Sequence, residues 1–196
     1  MRRMSIVLIS IIALAPPALA DGLPSMAMGM PLSAAKVSKL AGASAARLIC
    51  SDDSETVIMN GMQFSASALG NEVEGEISCR WFVAGGPAWT EADRQQLADV
   101  AVKATLNFVV PSPGKEPLLY EVVGEGAPTD YGAVVRSITA SYGAPQSSGA
   151  TGVSAMTLWQ TAKLKVVVAQ RYLGGGVMQI DYLDNALEAI ATRHLY

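Results

Sequence analysis

From Val73 to Val83 apolar and polar side chains alternate, with Val73, Ile77, Cys79, Trp81 and Val83 on one side and Glu72, Glu74, Glu76, Ser78 and Arg80 on the other. A period of two marks a strand with one buried face, so the chain has to build a sheet around this segment. Cys79 falls on the inward face, where a structural half-cystine belongs. Cys50 is the only other cysteine, and an even count in an exported chain reads as a disulfide. Closing that loop of about 30 residues restricts the unfolded chain by roughly 3 to 4 kcal/mol. The wide spacing is unlike the Cys-x-x-Cys pair of a redox site.

The punctuation around this strand predicts the other elements. Ser33 caps a short helix carrying Val37 and Leu40 and stopping near Gly42. Val57 to Met59 and Met62 to Ala68 flank Asn60-Gly61, the dipeptide best suited to a type I′ hairpin turn. After Gly85-Gly86-Pro87, Thr90 with Asp93 resembles a capping box, and Leu97, Val100, Ala101, Ala104 and Phe108 give one apolar stripe. That spacing predicts a helix. Leu118 to Val123 reads as a strand. A second helix runs from Thr129 or Asp130 through Tyr131, Val134, Val135, Ile138 and Tyr142 to Gly143, with Pro145 beyond. Three strands follow at Ala155 to Thr161, Leu164 to Tyr172 and Val177 to Leu183, the last two joined by Gly174-Gly175-Gly176. Asn185 with Glu188 opens a final helix.

The fold class implied is α+β, with antiparallel three-stranded meanders framed by helices. Helix, three strands, helix occurs twice in this reading, as in a duplicated module with halves 32–110 and 118–196. A single mixed sheet with helices on one face fits the same order.

Residues 1–20 have the form of a secretory leader: Arg2 and Arg3, an apolar run from Ile6 to Ala15, then Ala18-Leu19-Ala20 before Asp21. The run is about half the ~20 residues that span a bilayer, so the expectation is a soluble protein, periplasmic or secreted, without a membrane span. Residues 21–31, DGLPSMAMGMP, read as a flexible Met/Gly/Pro arm. Residues 32–196 form one domain. Without the leader, 12 basic residues face 17 acidic ones, a net charge of −5. That acidity, with no basic run after Arg3, argues against nucleic acid and anionic membrane as partners.

Ala133 to Trp159 reads as a helix closing on Tyr142-Gly143-Ala144-Pro145, then a loose loop, then a strand with Trp159. It resembles the helix-plus-meander modules of bacterial envelope proteins such as the outer-membrane assembly accessory lipoproteins and the β-lactamase inhibitory proteins. The resemblance implies a binding scaffold without chemistry.

The residues complete no catalytic set. A Ser-His-acid triad requires a histidine held by a carboxylate, and the single histidine, His194, is the third residue from the end. A hydrolase of the paired-carboxylate type would have to use Asp52-Asp53 or Asp181 with Asp184, which read better as a solvated turn and as strand and cap residues. Met26, Met28 and Met30 are soft thioethers at every second position and form a candidate weak Cu(I) site; no other cofactor is expected. The reading that follows is an exported, non-enzymatic envelope protein that binds a protein or small apolar ligand. Trp89, Phe82 and Tyr172 are its candidate contact residues, because aromatics are enriched at contact surfaces and Phe82 breaks the polar alternation of its strand.

Overall fold

The computed structural model describes residues 26–40, 43, 45–70, 75–92, 94–152, 154–171 and 176–193. The expected leader, Tyr172, Gly174-Gly175 and His194 lie outside the described residues. In chain order the strands are β1 (Ala46–Cys50), β2 (Thr56–Met59), β3 (Met62–Ser65), β4 (Glu76–Ala84), β5 (Trp89–Glu91), β6 (Gln95–Leu97), β7 (Val100–Val109), β8 (Leu118–Gly126), β9 (Ser147–Thr151), β10 (Ser154–Gln160), β11 (Leu164–Arg171) and β12 (Val177–Asp184). The helices are α1 (Leu32–Val37), α2 (Tyr131–Tyr142) and α3 (Asn185–Arg193). All twelve strands join one sheet in the order β3-β2-β5-β4-β7-β8-β12-β11-β10-β9, with β1 also on β4 and β6 also on β7.

This corrects the α+β arrangement of helix-framed meanders and the duplicated module. The architecture is a large mixed sheet with three short helices. The segment after Thr90 accounts for most of the difference, because β5, β6 and β7 replace the expected helix. Leu97, Val100, Ala101, Ala104 and Phe108 do fit a helical stripe, but Val100, Val102, Ala104, Leu106 and Phe108 fit a period of two equally, and all five are buried. The β-branched Val100, Val102, Thr105 and Val109 favour the strand. Reversal between β6 and β7 occurs at Ala98 and Asp99, both at positive φ (49° and 64°), the backbone of a type I′ turn without its usual glycine. The Asn60-Gly61 turn between β2 and β3 has the same sign of φ at 51° and 77°.

One face of the sheet is covered from β1 and β4 across to β10. Val134 and Ile138 of α2 pack on it together with Leu106, Val122, Tyr182, Val166 and Trp159. Those five strand residues form one cross-strand row by register. Two polar contacts fix the helix, Tyr131 Oη to Thr157 Oγ1 at 2.8 Å and Trp159 Nε1 donating to the Gly143 carbonyl at 3.0 Å. The same core extends over β4 and β1, where Cys50 and Cys79 stand opposite one another and are joined by a disulfide. Gly124 is part of this face because a Cβ there would come within 2.8 Å of Leu97 Cδ2, so the bare backbone lets the β6 turn fold down onto the sheet.

Of the arm expected over 21–31, residues 21–25 lie outside the described residues, and 26–31 add to the sheet where β12 has turned away into α3. Leu119 N–H donates to the Met30 carbonyl, while Gly29 and Leu32 N–H donate to the carbonyls of Leu119 and Pro117. Gly29, at φ 80°, sits at the third position of a turn closed by Met30 N–H on the Ala27 carbonyl. That left-handed position calls for glycine. Composition alone does not reveal this docking, since Gly and Pro suit a turn and bulge as well as a mobile tail.

Candidate functional site

The opposite face of the sheet is covered in two places. At one end a second core of Ile49, Val57, Ala66, Leu69 and Phe82 fills against β1 and β4, flanked by Met59, Phe64 and Trp89. In the middle of the sheet, Leu187, Ile190 and Ala191 of α3 pack against Val109 of β7 and Tyr120 of β8. Past them in strand order lies an open stretch of β8, β12, β11 and β10. Its central row is Thr105, Val123, Asp181, Val167 and Leu158, aligned by the strand registers and half-buried throughout. Next to it run Glu125, Gln179, Ala169 and Met156, with Met156 53% exposed.

The edge of this face nearest α3 is acidic. Asn107 stands opposite Glu121, and the next β7–β8 pair is Phe108 with Leu119, so Tyr120 is an extra residue at a β-bulge. The bulge turns Tyr120 toward α3 beside Glu121, a re-aiming that bulges commonly perform. Glu121 accepts a hydrogen bond from Asn107 Nδ2 at 2.6 Å, and Tyr120 is hydrogen-bonded to Glu76. Lys165 of β11 pairs with Glu188 of α3. Burial, above all, raises the pKa of Glu121; Asn107 opposes the rise, and Asp181, Glu76 and Glu188 add to it by repulsion. Burial likewise raises Asp181, against Gln179, which donates to its Oδ1 at 2.8 Å, and against Lys165 and Arg171. Tyr120 is raised by burial and by its acidic neighbours. In the same row Asn107 Oδ1 and Ser78 Oγ are buried without a hydrogen-bond partner among the described residues, each at a cost of about 1–3 kcal/mol.

An acid with a raised folded-state pKa holds its proton more tightly in the native state than in the unfolded one, so stability falls as pH rises from the unfolded value near 4.5 through the folded one. Glu121→Gln keeps an acceptor for Asn107 and removes the charge. The variant is expected to melt higher than wild type at pH 7, with the difference closing as pH approaches 4. Thermal melts across that range would show it, and a lower melting temperature at pH 7 would contradict the assignment.

A second charged group fills the gap where β4 and β7 part above Cys79. Glu91 takes Arg80 Nη1 at 3.2 Å and Lys103 Nζ at 2.8 Å on its two oxygens. Arg80 Nε donates to Thr105 Oγ1, and Gln95 Oε1 accepts from Ala104 N–H. Every charge here has a partner, and the group ties β5 to β7.

Of the residues singled out from the sequence, Phe82 and Trp89 meet at the second core, while the three methionines lie at the main core. Phe82 is fully buried in the second core, so it presents nothing to a partner; it breaks the polar alternation because this end of the sheet is covered on both faces. Trp89 packs against that core with one ring face under the Arg47 guanidinium, 5.6 Å from the ring centroid. Tyr172 lies outside the described residues. Met26 is 1% exposed in the main core, and Met28 and Met30 are half-buried against it. Among the acids, Asp52 and Asp53 pair with Lys36, and Asp53 also accepts the Cys50 N–H. Those two aspartates and Cys50 bring two carboxylates and a sulfur together, but the Cys50 sulfur is held in the disulfide. Asp184 caps α3, its Oδ1 accepting from Ala186 and Leu187 N–H, while the expected cap Asn185 donates to the Thr161 carbonyl. A shallow depression of about 440 Å³ along α3, lined by Asn185, Glu188, Ala189, Thr192 and Arg193, holds one carboxylate. Glu121 escaped the sequence reading because its partners come from β4, β7, β12 and α3, and the only local signal was a glutamate within an apolar strand.

No helix among the described residues is long and apolar enough to cross a membrane. No family model, curated protein or solved structure matches the chain.

Proposed function

We propose that the protein is an exported, non-enzymatic binding module of the bacterial envelope, periplasmic or secreted, and that it receives an apolar segment of a protein partner on the open face of β8, β12, β11 and β10. The observation that carries this reading is the central row of that face, where Val123, Val167 and Leu158 stay half-exposed while the reverse of the same strands is sealed by α2. A one-sided sheet needs only one apolar face, and the aliphatic side chains that flank Asp181 on the other side are spare binding surface. The disulfide suits an oxidising compartment, and the leader supplies the address.

Val123→Lys with Val167→Lys, which stand on either side of Asp181 by register, is expected to abolish capture of a partner from envelope extract. Melting temperature should stay within a few degrees of wild type, because both positions are partly solvated. A partner that still binds the double variant would remove the assignment. The competing reading is a hydrolase, and it rests on Glu121 and Asp181. They are diagonal neighbours on one face by register, and both are shifted toward the protonated form. Hydrolysis of cell-wall glycan that is lost in both Glu121→Gln and Asp181→Asn would favour it over binding.

A further inference from the structure

β9 is an outer strand of the sheet, paired among the described residues only with β10, and all five of its residues are exposed. Edge strands present unpaired N–H and C=O groups, and folded proteins usually guard them with charge, proline or a bulge. Here the guard is missing. Residues 137–162, which include β9 and β10, contain no Asp, Glu, Lys, Arg or His. In a chain of net negative charge, two copies can approach along this edge without setting like charges opposite one another.

Gly149, the central residue of β9, supplies a second observation. Its φ is not in the left-handed region, and a Cβ there would meet nothing within 4 Å. Neither backbone conformation nor packing within the chain calls for a glycine, which weakens a strand. Beside it by register stands Met156, 53% exposed.

We infer that β9 pairs antiparallel with β9 of a second copy about a two-fold axis at Gly149. Such an isologous pairing is self-complementary. Gly149 then faces Gly149, Ser148 faces Ala150 and Ser147 faces Thr151, all small and uncharged. The two Met156 backbones stand three strand spacings apart, about 14 Å, and the bare glycines between them leave room for the two thioether side chains to converge over the junction. That covers the most exposed methionine of the open face. A five-residue ladder buries less than the ~1,200 Å² of a stable specific interface, so the dimer forms at high concentration and dissociates on dilution. This inference is independent of the ligand proposed for the open face.

Sedimentation equilibrium on the mature, oxidised protein is the test. Wild type is expected to shift from monomer to dimer between about 1 µM and about 500 µM, and Gly149→Lys, which sets lysine against lysine, to stay monomeric with an unchanged circular dichroism spectrum. Gly149→Cys should cross-link in air at either end of that range, because opposed strand residues lie within disulfide reach. Ser147→Cys, facing Thr151, should not. A wild-type monomer throughout the range would overturn the inference and leave the edge to a strand from a different protein. A dimer that survives Gly149→Lys, or equal cross-linking by both cysteine variants, would overturn it as well.

Discussion

Phe82→Ala is expected to lower the unfolding free energy by about 3–5 kcal/mol. Phe82 is fully buried and is the largest of five side chains in the core it shares with Ile49, Val57, Ala66 and Leu69. That core is too small to close over the void left by a missing ring. A 3-10 turn carries Ala66 and Leu69, and the short β2 carries Val57. Repacking would require these segments to slide against β4, against the hydrogen bond of Ala66 N–H to the Glu55 carbonyl. A domain of ordinary stability, ~5–15 kcal/mol, loses a large share of its margin by this change. The midpoint of urea unfolding should fall with the slope unchanged. Trp89→Ala should cost far less, since its ring is partly solvated and its contact with Arg47 is worth about 0.5–1 kcal/mol. Equal effects of the two variants would mean that the second core is not closed around Phe82.

The contrast between Phe82 and Val167 shows what the sequence made legible. Alternation along β4 was plain, and the inward positions of Cys79 and Trp81 follow from it. The burial of Phe82 on the reverse face was not, because it depends on β2 and the 3-10 turn folding over that side, which no local pattern encodes. An aromatic that interrupts a polar face has two explanations, a partner protein or a second core within the chain, and only the tertiary structure separates them. Val167 belongs to the Leu164–Arg171 strand, where apolar residues run without a break from Val166 to Ala169, so period-two reading cannot assign a face. The register with Asp181 and Leu158 assigns it.

The same limit explains the helix read after Thr90. Val100, Ala104 and Phe108 satisfy both a 3.6 and a 2.0 period, since every fourth residue is common to the two. The tie is broken by Ala98 and Asp99, whose positive φ turns the chain back on itself. Alanine is a poor advertisement for a left-handed position, so the hairpin was invisible while Asn60-Gly61 was not. The site fared worse than the fold for a related reason. Glu121 acquires its environment from Glu76, Asn107, Asp181 and Glu188, which are spread along the chain and meet only because β8 lies at the middle of the sheet.

Replacing Cys50 and Cys79 together by alanine is expected to remove about 3–4 kcal/mol of stability, the loop-closure contribution for their separation of 29 residues. Both cysteines are fully buried, so the serine pair should lose more, because each buried hydroxyl without a partner adds about 1–3 kcal/mol. The loss falls unevenly over the sheet. β1 is hydrogen-bonded to β4 along Ala46 to Cys50, and beyond Cys50 the chain enters the turn held by Asp53; without the bond, β1 can peel away while β7 to β12 stay paired. Backbone amides of residues 46–50 should therefore exchange much faster in the alanine variant, while those of β8 and β12 follow the global unfolding energy. Burial also sets how a reductant acts. Dithiothreitol should leave the native bond intact and cleave it only at the rate at which β1 opens, so reduction in water should be slow and should accelerate steeply below the urea midpoint. Rapid reduction in water with no change in β1 exchange would mean that the disulfide is an accessible thiol pair, and the structural role given to it here would fail.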